Sequence, residues 1–128
     1  MKYTQKQIDK FNRQKYIVEL DKIAKNLFSM FRNETVKSDK FMLKFKQLKE
    51  KLDEKDEMHL ESEYYKRLKE YIVRLYAQTC EVEYFDDKMF ADIRDAEMSH
   101  LNRLQKLKNR TTYKKDKHKV KSQNQDWG

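Results

Sequence analysis

The chain has 128 residues, 41% of them charged, with no proline and one glycine, Gly128. That composition excludes the P-loop and the dinucleotide fingerprint, which need internal glycines, and leaves tight hairpin turns without their usual residues. The formal net charge of +8 is sorted by position: residues 1–51 carry 14 Lys/Arg against 6 Asp/Glu, residues 52–102 carry 7 against 14, and residues 103–128 carry 9 against 2.

The first helix is expected to start at Thr4, because Thr4 and Gln7 have the spacing of a capping box, in which each side chain satisfies a backbone N–H of the other. From Tyr16 the apolar residues Ile17, Leu20, Ile23, Ala24, Leu27, Phe28 and Phe31 recur every three or four positions, one stripe of a helix that ends near Asn33. Ile8, Phe11 and Val18 fall on the opposite side among Lys15, Lys22 and Lys25. This second apolar edge either packs beneath another helix or the tail, or serves as a dimer or adaptor surface for a protein partner.

Residues 33–38 read as a connector, with Ser38 the N-cap of a second helix and Asp39 in its first turn. Its core residues are Phe41, Met42, Phe45, Leu48 and Leu52. The run Asp53-Glu54-Lys55-Asp56-Glu57 is either a polar turn or a solvated continuation of the helix, so helices two and three are separate or continuous. The third carries Tyr64, Leu68, Ile72, Leu75, Thr79 and Val82, flanked by Tyr65, Tyr71 and Tyr76, with Glu57 and Glu61 near its axis. A break near Tyr84-Phe85 then gives Asp86 or Asp87 as cap of a fourth helix, whose apolar side is Met89, Phe90, Ile93, Ala96, Leu101, Leu104 and Leu107.

Short polar connections make neighbouring helices antiparallel, so the expected fold is all-α: an antiparallel bundle of three to four amphipathic helices, residues 1–108, with a flexible basic C-terminal tail, residues 109–128. A basic first hairpin would face an acidic second one, its exposed charge pairs choosing register more than adding stability. Cys80 is the sole cysteine, and the N-terminal residues carry charges where a signal peptide needs an apolar run. The cytoplasm is therefore the expected location, with no transmembrane segment.

Glu97 and His100 have the Glu-x-x-His spacing of carboxylate-bridged metal sites and lie within the apolar stripe of helix four. The set lacks a second such pair, so the expectation is a charge-paired polar couple in the core rim, with Arg13 as Glu97's partner, and no metal or other cofactor. Cys80 reads as a core-edge residue and Ser99 points about 100° away from His100, so no catalytic residue, enzyme activity or small-molecule substrate is expected.

The strongest functional signal is the basic segment Arg103, Lys106, Lys108, Arg110, Lys114, Lys115, Lys117, Lys119 and Lys121, with Tyr113 and His118 interleaved and Asp116 the one opposing charge within it. Such a segment neutralises phosphates by counterion release, and an interleaved aromatic can stack on an unpaired base. Nucleic acid or a nucleoprotein is the expected partner. The same lysines could instead keep the chain soluble or lie across its acidic half. Trp127 is either a docking peptide for a protein partner or part of an unconstrained end.

Overall fold

The computed structural model describes residues 3–55 and 59–110, which form four helices: α1 (Gln5–Arg32), α2 (Ser38–Asp53), α3 (Glu63–Thr79) and α4 (Asp87–Arg110). The expected all-α bundle is the fold, and helices two and three are separate elements. Each start has a local cause. At α1 the Thr4 capping box forms, the Gln7 N–H donating to Thr4 Oγ1 at 3.2 Å and the Thr4 N–H to Gln7 Oε1 at 2.9 Å. At α3 the buried Ser62 hydroxyl accepts from the Tyr65 N–H.

The two adjacent aspartates at the start of α4 cap two different helices. Asp86 Oδ1 accepts from the Met89 N–H at 2.9 Å, closing the first turn of α4, whereas Asp87 Oδ1 accepts from the Ser38 N–H at 2.8 Å and closes the start of α2. Ser38 is thus the first residue of α2 and not its cap, a correction of the sequence reading. The position before it, Lys37, has no capping side chain, and the free N–H is answered from across the bundle. Connector 33–37 is held by Asn33 Oδ1, which accepts from the Thr35 N–H and hydroxyl, and by the buried Val36.

The order is up-down-up-down, with α1 packed against all three partners. At one end of the core the fully buried rings of Phe31, Phe41 and Phe90 meet pairwise, with centroids 4.8–5.7 Å apart, joining α1, α2 and α4. The other end is built from tyrosines: Tyr16, Tyr64, Tyr65 and Tyr71 are all buried. Buried hydroxyls need polar neighbours. Tyr65 donates to Asp21 at 3.1 Å, and the Lys69 ammonium lies over the Tyr16 ring.

Several expectations shift by a face or a turn. Tyr65 and Tyr71 belong to the core and do not merely flank it, because α3 contacts both α1 and α4 and needs a wider apolar face than one stripe. Val82 is exposed beyond the end of α3, and Glu61 precedes its start. On α4 Ala96 is exposed and Glu97 buried, because the helix turns the Phe90, Glu97, Leu101 and Leu104 side inward. Glu57 lies outside the described residues. The charge sorting is answered across the halves by Arg13 and Glu61 at 3.8 Å, while Lys49–Asp53, Arg67–Glu63 and Lys88–Asp92 are pairs within single helices.

Candidate nucleic-acid interface

Helix α4 runs through the first two residues of the expected tail; Arg103, Lys106 and Lys108 stand on its last turns, and Arg110 is its last residue. At 100° per residue, Arg103 and Lys106 are about 60° apart on one face and Lys108 is turned about 140° from Arg103. The neighbours agree with that bookkeeping. Arg103 and Lys106 line a groove of about 760 Å³ between α3 and α4, together with Arg67 and Arg74. The Lys108 ammonium instead lies over the Tyr64 ring, 5.5 Å from its centroid, and lines a different cleft against α1.

The α3/α4 groove mixes engaged and unengaged cations. Arg67 Nε donates to Glu63 at 2.7 Å, and Arg74 spans Glu97 with bonds of 3.2 and 3.4 Å while also reaching Gln78. Arg103 and Lys106 are exposed and make no ion pair among the described residues. They are the cations available to an incoming anion, whereas Arg67 and Arg74 are each answered by a carboxylate, and Glu63 and Glu70 also line the groove. The sequence reading missed those two arginines, although Arg67 and Arg74 follow the spacing of Tyr64 and Tyr71 along one side of α3.

Glu97 and His100 are each engaged by a residue of α3. Glu97 is paired with Arg74, not with Arg13; the arginine on α1 turns to the loop before α3, where Glu61 meets it. The His100 ring stacks on Tyr71, with centroids 4.7 Å apart and planes at 30°. Burial and the nearby Arg74 guanidinium hold His100 below its ordinary pKa, so its neutral form is favoured. Burial, reinforced by the adjacent Glu97 carboxylate, holds the Tyr71 hydroxyl far above the usual phenol range. Among the described residues, no cluster of three or more His, Cys, Asp or Glu side chains is placed to hold a metal ion. The half-buried Cys80 has its thiol pushed up by burial, which keeps it protonated and a poor nucleophile.

Tyr113, Lys114, Lys115, Lys117, Lys119, Lys121 and Trp127 lie outside the described residues. Ile8, Phe11 and Val18 stay exposed, at 39%, 41% and 50%, the first two on the part of α1 where none of residues 5–15 is buried and Val18 on the outer side of the core-packed turn that follows. Tyr3 packs edge-on to Phe11 at 5.2 Å. No described helix is long and apolar enough to cross a membrane. No protein-family model matches the chain, nor does any curated protein or solved structure.

Proposed function

We propose that this chain is a non-catalytic helical protein that binds nucleic acid or a nucleoprotein electrostatically through the basic segment from Arg103 to Lys121. The observation that carries the reading is the pair Arg103 and Lys106, exposed and without ion pairs among the described residues, on the last turns of the helix from which the lysine-rich segment runs on. In the sequence they are followed by Lys114, Lys115, Lys117, Lys119 and Lys121. Phosphates would be neutralised along that run without any reading of bases, and Tyr113 could stack on one unpaired base. The lone cysteine is in keeping with action in the cytoplasm, a reducing compartment.

The test is binding of the full chain to a mixed-sequence single-stranded oligonucleotide at rising salt. Replacing the five tail lysines by glutamine should leave helicity intact and flatten the salt dependence, since each lost phosphate contact removes about 0.7 from the logarithmic slope. Unchanged affinity and slope would overturn the reading.

The exposed edge of α1 favours a second reading, a helical adaptor whose Ile8, Phe11 and Val18 dock a protein partner, with the acidic residues of the second half of the chain as a further contact. Sedimentation with Ile8→Asp and Phe11→Asp distinguishes it, because loss of an assembly in those variants alone requires the edge.

A further inference from the structure

On the side of α4 away from Arg103 and Lys106 lies a cleft of about 580 Å³ between α1 and α4. Its floor is apolar: Ala24 and Phe28 from α1, Leu101 and Leu104 from α4, with Tyr64 and Leu68 closing one end. Ala24 and Phe28 lie on the core stripe of α1 yet remain only half-buried, so the stripe is wider than the bundle covers. The rim is cationic, with Lys25 and Arg32 on the α1 bank and Lys108 on the α4 bank. The one acid on the rim, Asp21, accepts the Tyr65 hydroxyl at 3.1 Å.

We infer that this cleft is a docking groove for an acidic amphipathic helix of a protein partner. An apolar floor between two helices is the usual seat for the apolar face of a third, and cations on both banks match carboxylates on the flanks of the incoming helix. The spacing of the charges selects this occupant over a small anionic amphiphile. Lys25 and Arg32 are seven residues apart, about 10 Å along the axis, with Lys108 across the cleft. A single carboxylate head would need them gathered at one point, whereas heptad-spaced carboxylates on a helix meet them in register. The lining of α1 from Asp21 to Arg32 is about 16 Å long, three turns of helix. The chain's own residues 111–128 fit poorly, since five lysines against two aspartates would be brought to a cationic rim. Contacts here are independent of the nucleic-acid reading, because the groove holding Arg103 and Lys106 opens on the other side of α4.

The probe is a capped synthetic peptide about four turns long, with leucines at helical spacing and glutamates elsewhere, labelled and titrated with the full chain. Saturable binding is expected, weakening with salt, and the double variant Lys25→Glu, Arg32→Glu should lose about tenfold or more in affinity while keeping its helicity. In amide NMR spectra the peptide should perturb Ala24, Phe28 and Leu101. The variant Arg103→Ala, Lys106→Ala should bind the peptide as the parent does, whatever happens to its oligonucleotide affinity. The inference is overturned if no saturable binding occurs, if the double charge reversal leaves affinity unchanged, or if a peptide with glutamine in place of glutamate binds equally well. It is also overturned if laurate displaces the peptide stoichiometrically, which would make the occupant an acyl anion.

Discussion

The two faces of α4 predict that neighbouring lysines on one helix contribute unequally to nucleic-acid binding. Lys106 and Lys108 are two residues apart in sequence, but one lines the α3/α4 groove and the other lies over Tyr64 beside α1. For a single strand each phosphate neutralised contributes about −0.7 to the slope of log K against log salt. Replacing Arg103 and Lys106 with glutamine therefore flattens the slope by about 1.4. At ~0.15 M salt each such contact multiplies the binding constant by about 4, so the pair should cost roughly fifteenfold. Lys108→Gln should change neither slope nor affinity measurably, since its ammonium points about 160° around the helix from Lys106. Fluorescence anisotropy of a labelled mixed-sequence oligonucleotide, over a salt series, measures both quantities. If Lys108→Gln flattens the slope as much as Lys106→Gln, or the Arg103 and Lys106 pair can be neutralised without effect, the assignment of this face is wrong.

Phe41 makes ring contacts with Phe31, Phe45, Phe85 and Phe90 and is fully buried, so Phe41→Ala should cost about 3–5 kcal/mol, a large share of the ~5–15 kcal/mol of a whole domain, read by urea denaturation. The exposed Leu43→Ala nearby should stay within ~0.5 kcal/mol, and equal effects at the two sites would contradict the packing. The buried Tyr71 hydroxyl has no partner in hydrogen-bonding geometry among the described residues, although the Glu97 carboxylate lies beside it, so Tyr71→Phe should be neutral or stabilise by up to about 1 kcal/mol; a clear loss would show that the hydroxyl is held by Glu97. Because folding lowers the His100 pKa from 6.5, His100 contributes stability that is complete above that value and lost as pH falls through its folded pKa. The urea midpoint should decline over that interval in the parent and more shallowly in His100→Phe, which keeps the stack on Tyr71. Asp86 and Asp87 are both held below 3.8, chiefly by the Met89 and Ser38 N–H groups respectively, so their contributions persist above that value and are lost in more acidic solution. Asp87→Ala should therefore lower the urea midpoint at neutral pH and abolish its share of the acid sensitivity.

What was legible in the sequence was whatever a single helix decides for itself. The capping box of Thr4 and Gln7, the stripe from Tyr16 to Phe31 and the phenylalanines of α2 follow from local spacing, and each occurs as read. Features decided between helices were not legible. Ser38 has the chemistry of an N-cap, but the cap of α2 arrives from Asp87, 49 residues on, which no local pattern encodes. Arg13 was matched to Glu97 by helix axes alone, whereas the two are separated because Glu97 faces Arg74 on α3 and Arg13 faces the loop at Glu61. The basic run was visible as composition, but its division between two faces of α4 depends on where α1 and α3 sit.

The two ends of the core explain why the candidate surfaces gather where they do. A phenylalanine end makes no polar demands and can close under α1, α2 and α4. A tyrosine end must bring polar groups to its hydroxyls, and there Asp21, Glu97, Arg74 and His100 sit around rings that α4 crosses with its cationic last turns. α4 then separates two grooves, the one at Arg103 and Lys106 proposed for polyanion phosphates and the one against α1 proposed for an acidic helix. The two anionic ligands would lie about a helix diameter apart, ~10–12 Å, where a pair of unit charges in water interacts by about 0.4 kcal/mol before salt acts. At physiological ionic strength the screening length of ~8 Å removes most of that. Saturating the α1/α4 groove should thus weaken oligonucleotide binding by no more than about threefold, with the penalty growing at low salt, whereas ligands sharing one site would exclude each other completely.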